Sequence, residues 1–180
     1  MALLAEELVE EWLRRQGFFT IRGIHLGVHE IDLLALRPMP GGGLEARHVE
    51  VQAGVNPVSY LTPLTKGLQK DKGKKSGSQI ERTEGELAAC VADWIEKKFH
   101  LDRKAKLRAI LAPGALWSQE LVVHMTKHPE EVAEIEKHVT VRRLSQVMKE
   151  LRDSEGPILG AAGTDFVQLA GLGASAEVSA

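Results

Sequence analysis

The sequence predicts an α/β fold, a central mixed sheet flanked by helices, and three observations carry that expectation. Leu4, Leu8 and Trp12 recur at four-residue spacing with Val9 and Leu13 beside them, the pattern of a helix with one apolar stripe. Three β-prone runs follow, separated by glycines and a proline. Later in the chain, helically spaced apolar residues alternate with short β-prone runs, as in a chain that lays helices over a sheet.

The first helix ends at Gly17, a residue suited to the left-handed turn that closes a helix. Residues 18–24 and 28–36 predict two strands, Pro38 and Gly41 to Gly43 a turn, and residues 45–53 a third strand. Residues 66–75 are lysine and glycine with hardly an apolar side chain, which predicts a surface loop. Ser78 with Glu81, or Thr83 with Glu86, has the spacing of a capping box for a helix that buries Leu87, Val91, Trp94 and Ile95. Cys90 lies beside that stripe and reads as core. Residues 107–112 predict a short strand, and a helix is expected from Trp117 through Leu121, Val122 and Met125, with Pro129 interrupting or restarting it. Residues 139–141 predict a last strand, and Leu144, Val147, Met148 and Leu151 a last helix. Residues 1–154 thus form one expected domain, and residues 155–180 a Gly- and Ala-rich C-terminal arm.

With 180 residues the chain is long enough for one substantial core. A single cysteine excludes a disulfide framework and a four-thiolate zinc site and favours a reducing, cytoplasmic setting. Apolar runs are too short to cross a bilayer, so no membrane partner is expected. The formal charge of -2 excludes binding of nucleic acid by bulk positive charge. That total is unevenly distributed: residues 66–108 carry 12 basic and 7 acidic side chains, a local +5 that leaves -7 for the remainder.

Strand periodicity places Glu30 and Asp32 on one face of the second strand, and His48, Glu50 and Gln52 on one face of the third. Together with Glu6 on the first helix, these surround one end of the three-stranded meander. Two carboxylates on neighbouring strands can share a hard divalent cation, Mg²⁺ or Mn²⁺, which polarises a phosphodiester and acidifies a bound water. The same acids also fit an exposed edge hairpin, and Glu6, Glu7, Glu10 and Glu11 fit a helix start whose dipole favours anions.

Ala5-Glu6, Val9, Trp12-Leu13 and Gly17-Phe18, then residues 30–35 with Glu30 and Asp32, then Val49-Glu50-Val51-Gln52, resemble the helix, acidic strand and E-x-K strand of the PD-(D/E)XK nuclease superfamily. The likeness covers residues 5–53 and is greatest to small members similar to Holliday junction resolvases. The resemblance implies a restriction-endonuclease-like core of order αβββαβ. It also implies a Mg²⁺- or Mn²⁺-dependent DNA endonuclease serving repair, recombination or restriction. Asp32 and Glu50 would be metal ligands with the carbonyl of Val51 as a third, Glu6 would face the site, and Glu30 would be auxiliary. Gln52 stands where the pattern has lysine and offers an orienting amide without charge. Lys66 or Lys70 is a candidate to replace that lysine in space. Many relatives act as homodimers, so a homodimer is expected here as well. Without its lysine, the same scaffold could instead serve as a catalytically inactive DNA-binding or interaction module.

Lys66, Lys70, Lys72, Lys74 and Lys75 read either as a solvated loop or as phosphate contacts that bring DNA to an acidic site. With eight aromatic residues in the chain and none among these lysines, stacking on single strands is not the expected mode. His124 and His128 have a helical zinc spacing but no third ligand, and His29 and His48 read as hydrogen-bonded surface histidines.

Overall fold

The computed structural model describes residues 2–54 and 56–153; the expected arm at 155–180 lies outside them. Helix α1 (Ala2–Arg15) closes at Gly17, whose φ of 85° is one that a side chain would strain, and the Phe18 amide returns to the Leu13 carbonyl. Strands β1 (Phe19–Leu26), β2 (His29–Pro38) and β3 (Leu44–Gln52) follow as an antiparallel meander. A long crossover then carries α2 (Lys66–Asp71), α3 (Glu84–Ile95), a π-helical turn (Glu96–His100) and α4 (Asp102–Leu111). Strand β4 (Trp117–Val123), helix α5 (Pro129–Glu136), strand β5 (Thr140–Arg143) and helix α6 (Leu144–Asp153) complete the described chain. The sheet order is β1-β2-β3-β4-β5, with β4 parallel to both β3 and β5, so the sheet is mixed.

The two faces of the sheet are covered by different helices. On one, Val9 and Leu13 of α1 and Val147 and Leu151 of α6 pack on Leu33, Ala35, Val49, Val51 and Val122. On the other, Val91, Trp94 and Ile95 of α3, Phe99 of the π-helical turn, and Val132 and Ile135 of α5 pack on Leu121 and Val123. No helix among the described residues is long and apolar enough to cross a membrane.

Three sequence expectations are corrected. Residues 66–71 form a helix because the Thr65 hydroxyl accepts from the Leu68 amide and caps it. Residues 107–112, expected as a strand, end helix α4 and its cap, whose inward positions are Lys104 and Arg108 at helical spacing rather than apolar residues. Residues 117–123, expected as a helix, are a central strand. Its Leu121, Val122 and Val123 are buried on both faces, and such a continuous apolar run carries no alternation to distinguish it from a helix. Thr83 and Glu86 form the capping box of α3. Pro129 opens α5 rather than interrupting a longer helix.

Candidate active site

Strands β2 and β3 part at one end of the sheet. Their pairing stops at Leu33↔Val49, whereas β2 stays paired with β1 as far as Leu26↔His29, and β3 with β4 as far as Gln52↔Val123. Asp32 and Glu50 are the next residues beyond the last shared pair, so they stand opposite one another on one face, at the fork. The fork is held by side chains in place of a ladder. Asp32 Oδ2 accepts from the Val51 amide at 2.7 Å, and the Glu30 carbonyl accepts from Lys104 Nζ.

Glu50 is fully buried and accepts from three donors. Its Oε1 receives His48 Nε2 at 3.0 Å and Lys104 Nζ at 3.1 Å, and its Oε2 receives Lys98 Nζ at 2.6 Å. Lys104, 1 % exposed, also donates to the Lys98 carbonyl at 2.7 Å, so its three protons meet three acceptors, Glu50 and the Glu30 and Lys98 carbonyls. Arg108 Nη1 donates to His48 Nδ1 at 2.9 Å and to the Phe99 carbonyl at 2.8 Å. A guanidinium only donates, so Nδ1 is the acceptor of the ring and its proton lies on Nε2, directed at Glu50.

These contacts separate the two carboxyls electrostatically. Burial disfavours the Glu50 anion, yet the His48 hydrogen bond and the charges of Lys98 and Lys104 outweigh it and hold the carboxyl at about 2. Asp32 is pushed up to about 7 by burial and then by the charge of Glu50, against the opposing pull of Lys98 and the Val51 amide. Burial lowers the pKa of His48, which keeps the ring neutral. Lys98 is raised: burial opposes its charge, but Glu50, Asp32 and Glu30 together prevail. Glu6 is raised by burial and then by Glu30, with Glu50 adding to the effect, so α1 brings it within electrostatic reach of the fork.

The structure therefore gathers Asp32, Glu50 and the Val51 main chain, with Glu6 close enough to interact through charge. Glu30 contributes its carbonyl to Lys104, while its exposed carboxylate faces His25 at 3.8 Å. Gln52 ends β3, half-buried, and its carbonyl accepts from the His124 amide. Lys66, Lys70, Lys72, Lys74 and Lys75 are all exposed on α2 and the segment after it, and Lys72 pairs with Glu86 at 2.6 Å. The ammonium groups bound to Glu50 are instead Lys98 and Lys104, which sequence reading passed over. Their one sequence signal is that Lys104 and Arg108 occupy inward positions of a helix that lacks an apolar stripe there. His48, expected at the surface, is completely buried. His128 precedes α5 and stacks on Tyr60 at 3.8 Å, and His124 follows β4, so the helical zinc spacing does not arise. Cys90 is buried, as its place beside the stripe of α3 predicts.

Among the described residues no group of three or more His, Cys, Asp or Glu is gathered to hold a metal. What the fork offers is two carboxylates and main-chain oxygen, a hard donor set of the kind that Mg²⁺ completes with water. Comparison of the chain with family models, with curated proteins and with solved structures returns no match.

Proposed function

We propose that the chain is a metal-dependent DNA endonuclease that hydrolyses phosphodiester bonds at the fork between β2 and β3. One observation carries this reading: Asp32 and Glu50 share a face where the strands part, with the Lys98 ammonium 2.6 Å from Glu50. Asp32 is pushed up to about 7 by burial and then by the facing Glu50 carboxylate, and a divalent cation between the two would offset both effects. Asp32, Glu50 and the Val51 carbonyl would hold Mg²⁺ or Mn²⁺, which when bound supplies Lewis acidity and a more acidic water. The resemblance to PD-(D/E)XK nucleases supports the same reading. Its departure, glutamine at position 52, is met by Lys98, which brings a positive charge to the carboxylates from another element. That charge is suited to the oxygens of a phosphodiester. Glu6 adds a carboxylate from α1, and the exposed lysines of residues 66–75 suit contacts with phosphates away from the fork.

The test is cleavage of linear, nicked and branched DNA in Mg²⁺ or Mn²⁺ by the wild type, Asp32→Asn and Lys98→Met. The expected outcome is cation-dependent cleavage reduced at least about a hundredfold in both variants. Cleavage that survives Asp32→Asn overturns the assignment.

A second reading rests on a specific feature. Glu50 is already compensated from within by Lys98, Lys104 and His48, an arrangement that also suits a catalytically silent module holding DNA. Salt-dependent DNA binding without heat of Mg²⁺ or Mn²⁺ binding selects this alternative.

A further inference from the structure

Glu50 presents its two oxygens unequally. Oε1 is held by two buried donors, His48 Nε2 and Lys104 Nζ, each fixed by further contacts: His48 by Arg108, and Lys104 by the Glu30 and Lys98 carbonyls. Neither donor can withdraw without stranding a buried polar partner. Oε2 differs, because its hydrogen bond comes from Lys98, whose side chain is 25 % exposed. Among the described residues the Lys98 ammonium donates one hydrogen bond, this one, so its release strands no second acceptor, and a cation arriving at Oε2 would replace the positive charge that Glu50 loses. Lys98 also rises from the π-helical turn between α3 and α4, a helical irregularity often found at functional sites.

We propose that Lys98 is a displaceable counter-ion: it occupies Glu50 Oε2 in the metal-free protein, competes with a divalent cation for that oxygen, and is released to the mouth of the fork when the cation binds. This inference rests on the reading of Asp32 and Glu50 as a cation site. It assigns Lys98 two successive partners, first the carboxylate and then, once freed, the non-bridging oxygens of a phosphodiester at the fork. It also divides the two lysines by role, since Lys104 has no exposed path and keeps Oε1 in place throughout.

The experiment is calorimetric titration of the full chain with Mn²⁺ alone at pH 8. The proteins compared are the wild type, Lys98→Met, Lys98→Gln and the control Lys106→Met, which alters an exposed lysine of α4. Removing a positive charge that competes for, and repels, the cation tightens Mn²⁺ binding in both Lys98 variants by about tenfold or more, while the control matches the wild type. Cleavage moves the other way, falling as affinity rises, a combination that loss of structure does not produce. Mn²⁺ binding by the wild type with no gain in either variant overturns the counter-ion role and leaves the cation site standing. Absence of binding in all four proteins overturns both. Should both Lys98 variants fail to fold, the Nζ resonance of Lys98 in the wild type, assigned with Lys98→Arg, decides. It shifts on saturation with Mg²⁺ if the ammonium is displaced, and an unchanged resonance overturns the proposal.

Discussion

Lys66, Lys70, Lys72, Lys74 and Lys75 project from α2 and the segment after it into solvent, whereas Lys98, Lys104 and Arg108 turn inward from the π-helical turn and α4. The first group is the most conspicuous basic run in the sequence, and among the described residues Lys72 makes a surface ion pair with Glu86. The second group is interspersed with apolar and acidic residues, yet it neutralises Glu50 and fixes His48. The difference lies in what each cation does for the fold. An exposed lysine keeps its hydration and its freedom to meet a ligand, and contributes little to stability. A fully buried lysine such as Lys104 has given up its water and depends on the anion that replaced it, and the partly exposed Lys98 stands between the two cases.

Four predictions sharpen this contrast. The largest effect is expected for Glu50→Ala, which strands Lys104 and leaves Lys98 and His48 without their common acceptor; urea denaturation should show a loss of roughly 3–5 kcal/mol. Loss of cleavage in that variant therefore says little about chemistry. Asp32→Asn is the cleaner functional probe. The folded-state pKa of about 7 lies above the ordinary 3.8, so folding binds a proton at Asp32. Its contribution to stability is present at low pH and is lost as pH rises from about 4 to about 7. The variant should accordingly be more stable than the wild type by roughly 2–4 kcal/mol at pH 8 and nearly equal to it at pH 4, as read from urea midpoints.

Lys104→Met, similar in bulk, leaves the Glu30 and Lys98 carbonyls without their ammonium donor and should cost about 2 kcal/mol in the same assay. The smallest change in stability is expected when Lys66, Lys70, Lys72, Lys74 and Lys75 are all replaced by alanine. That variant should stay within about 0.5 kcal/mol of the wild type. Its DNA affinity should fall and lose much of its dependence on salt, as measured by anisotropy at several ionic strengths. A large loss of stability there, or none in Glu50→Ala, would erase the distinction between the two groups of cations.

Legibility in the sequence follows the range of the interactions involved. The apolar stripe of α1, the alternation that sets the face of Asp32 on β2 and of Glu50 on β3, the Thr83 and Glu86 spacing that is one of two candidate capping boxes, and the spacing of α6 all arise within a few residues. At residues 107–112 and 117–123 the local pattern does not distinguish strand from helix. The end of α4 is a short apolar run that leads into Pro113 and Gly114, as a buried strand also would, and β4 is apolar on both faces at residues 121–123. For the site, the acidic pair was legible and the cation beside it was not, since Lys98 meets Glu50 across 48 residues of chain.

By itself, then, the sequence determined the meander, the helices α1, α3 and α6 and the face of its own strand on which each carboxylate lies, because hydrophobic periodicity and turn chemistry act locally. The tertiary structure decided which cations reach those carboxylates, that His48 is buried and neutral, and that Asp32 and Glu50 titrate far apart. Those properties come from burial and from charges brought together across the fold, and neither has a local signature along the chain.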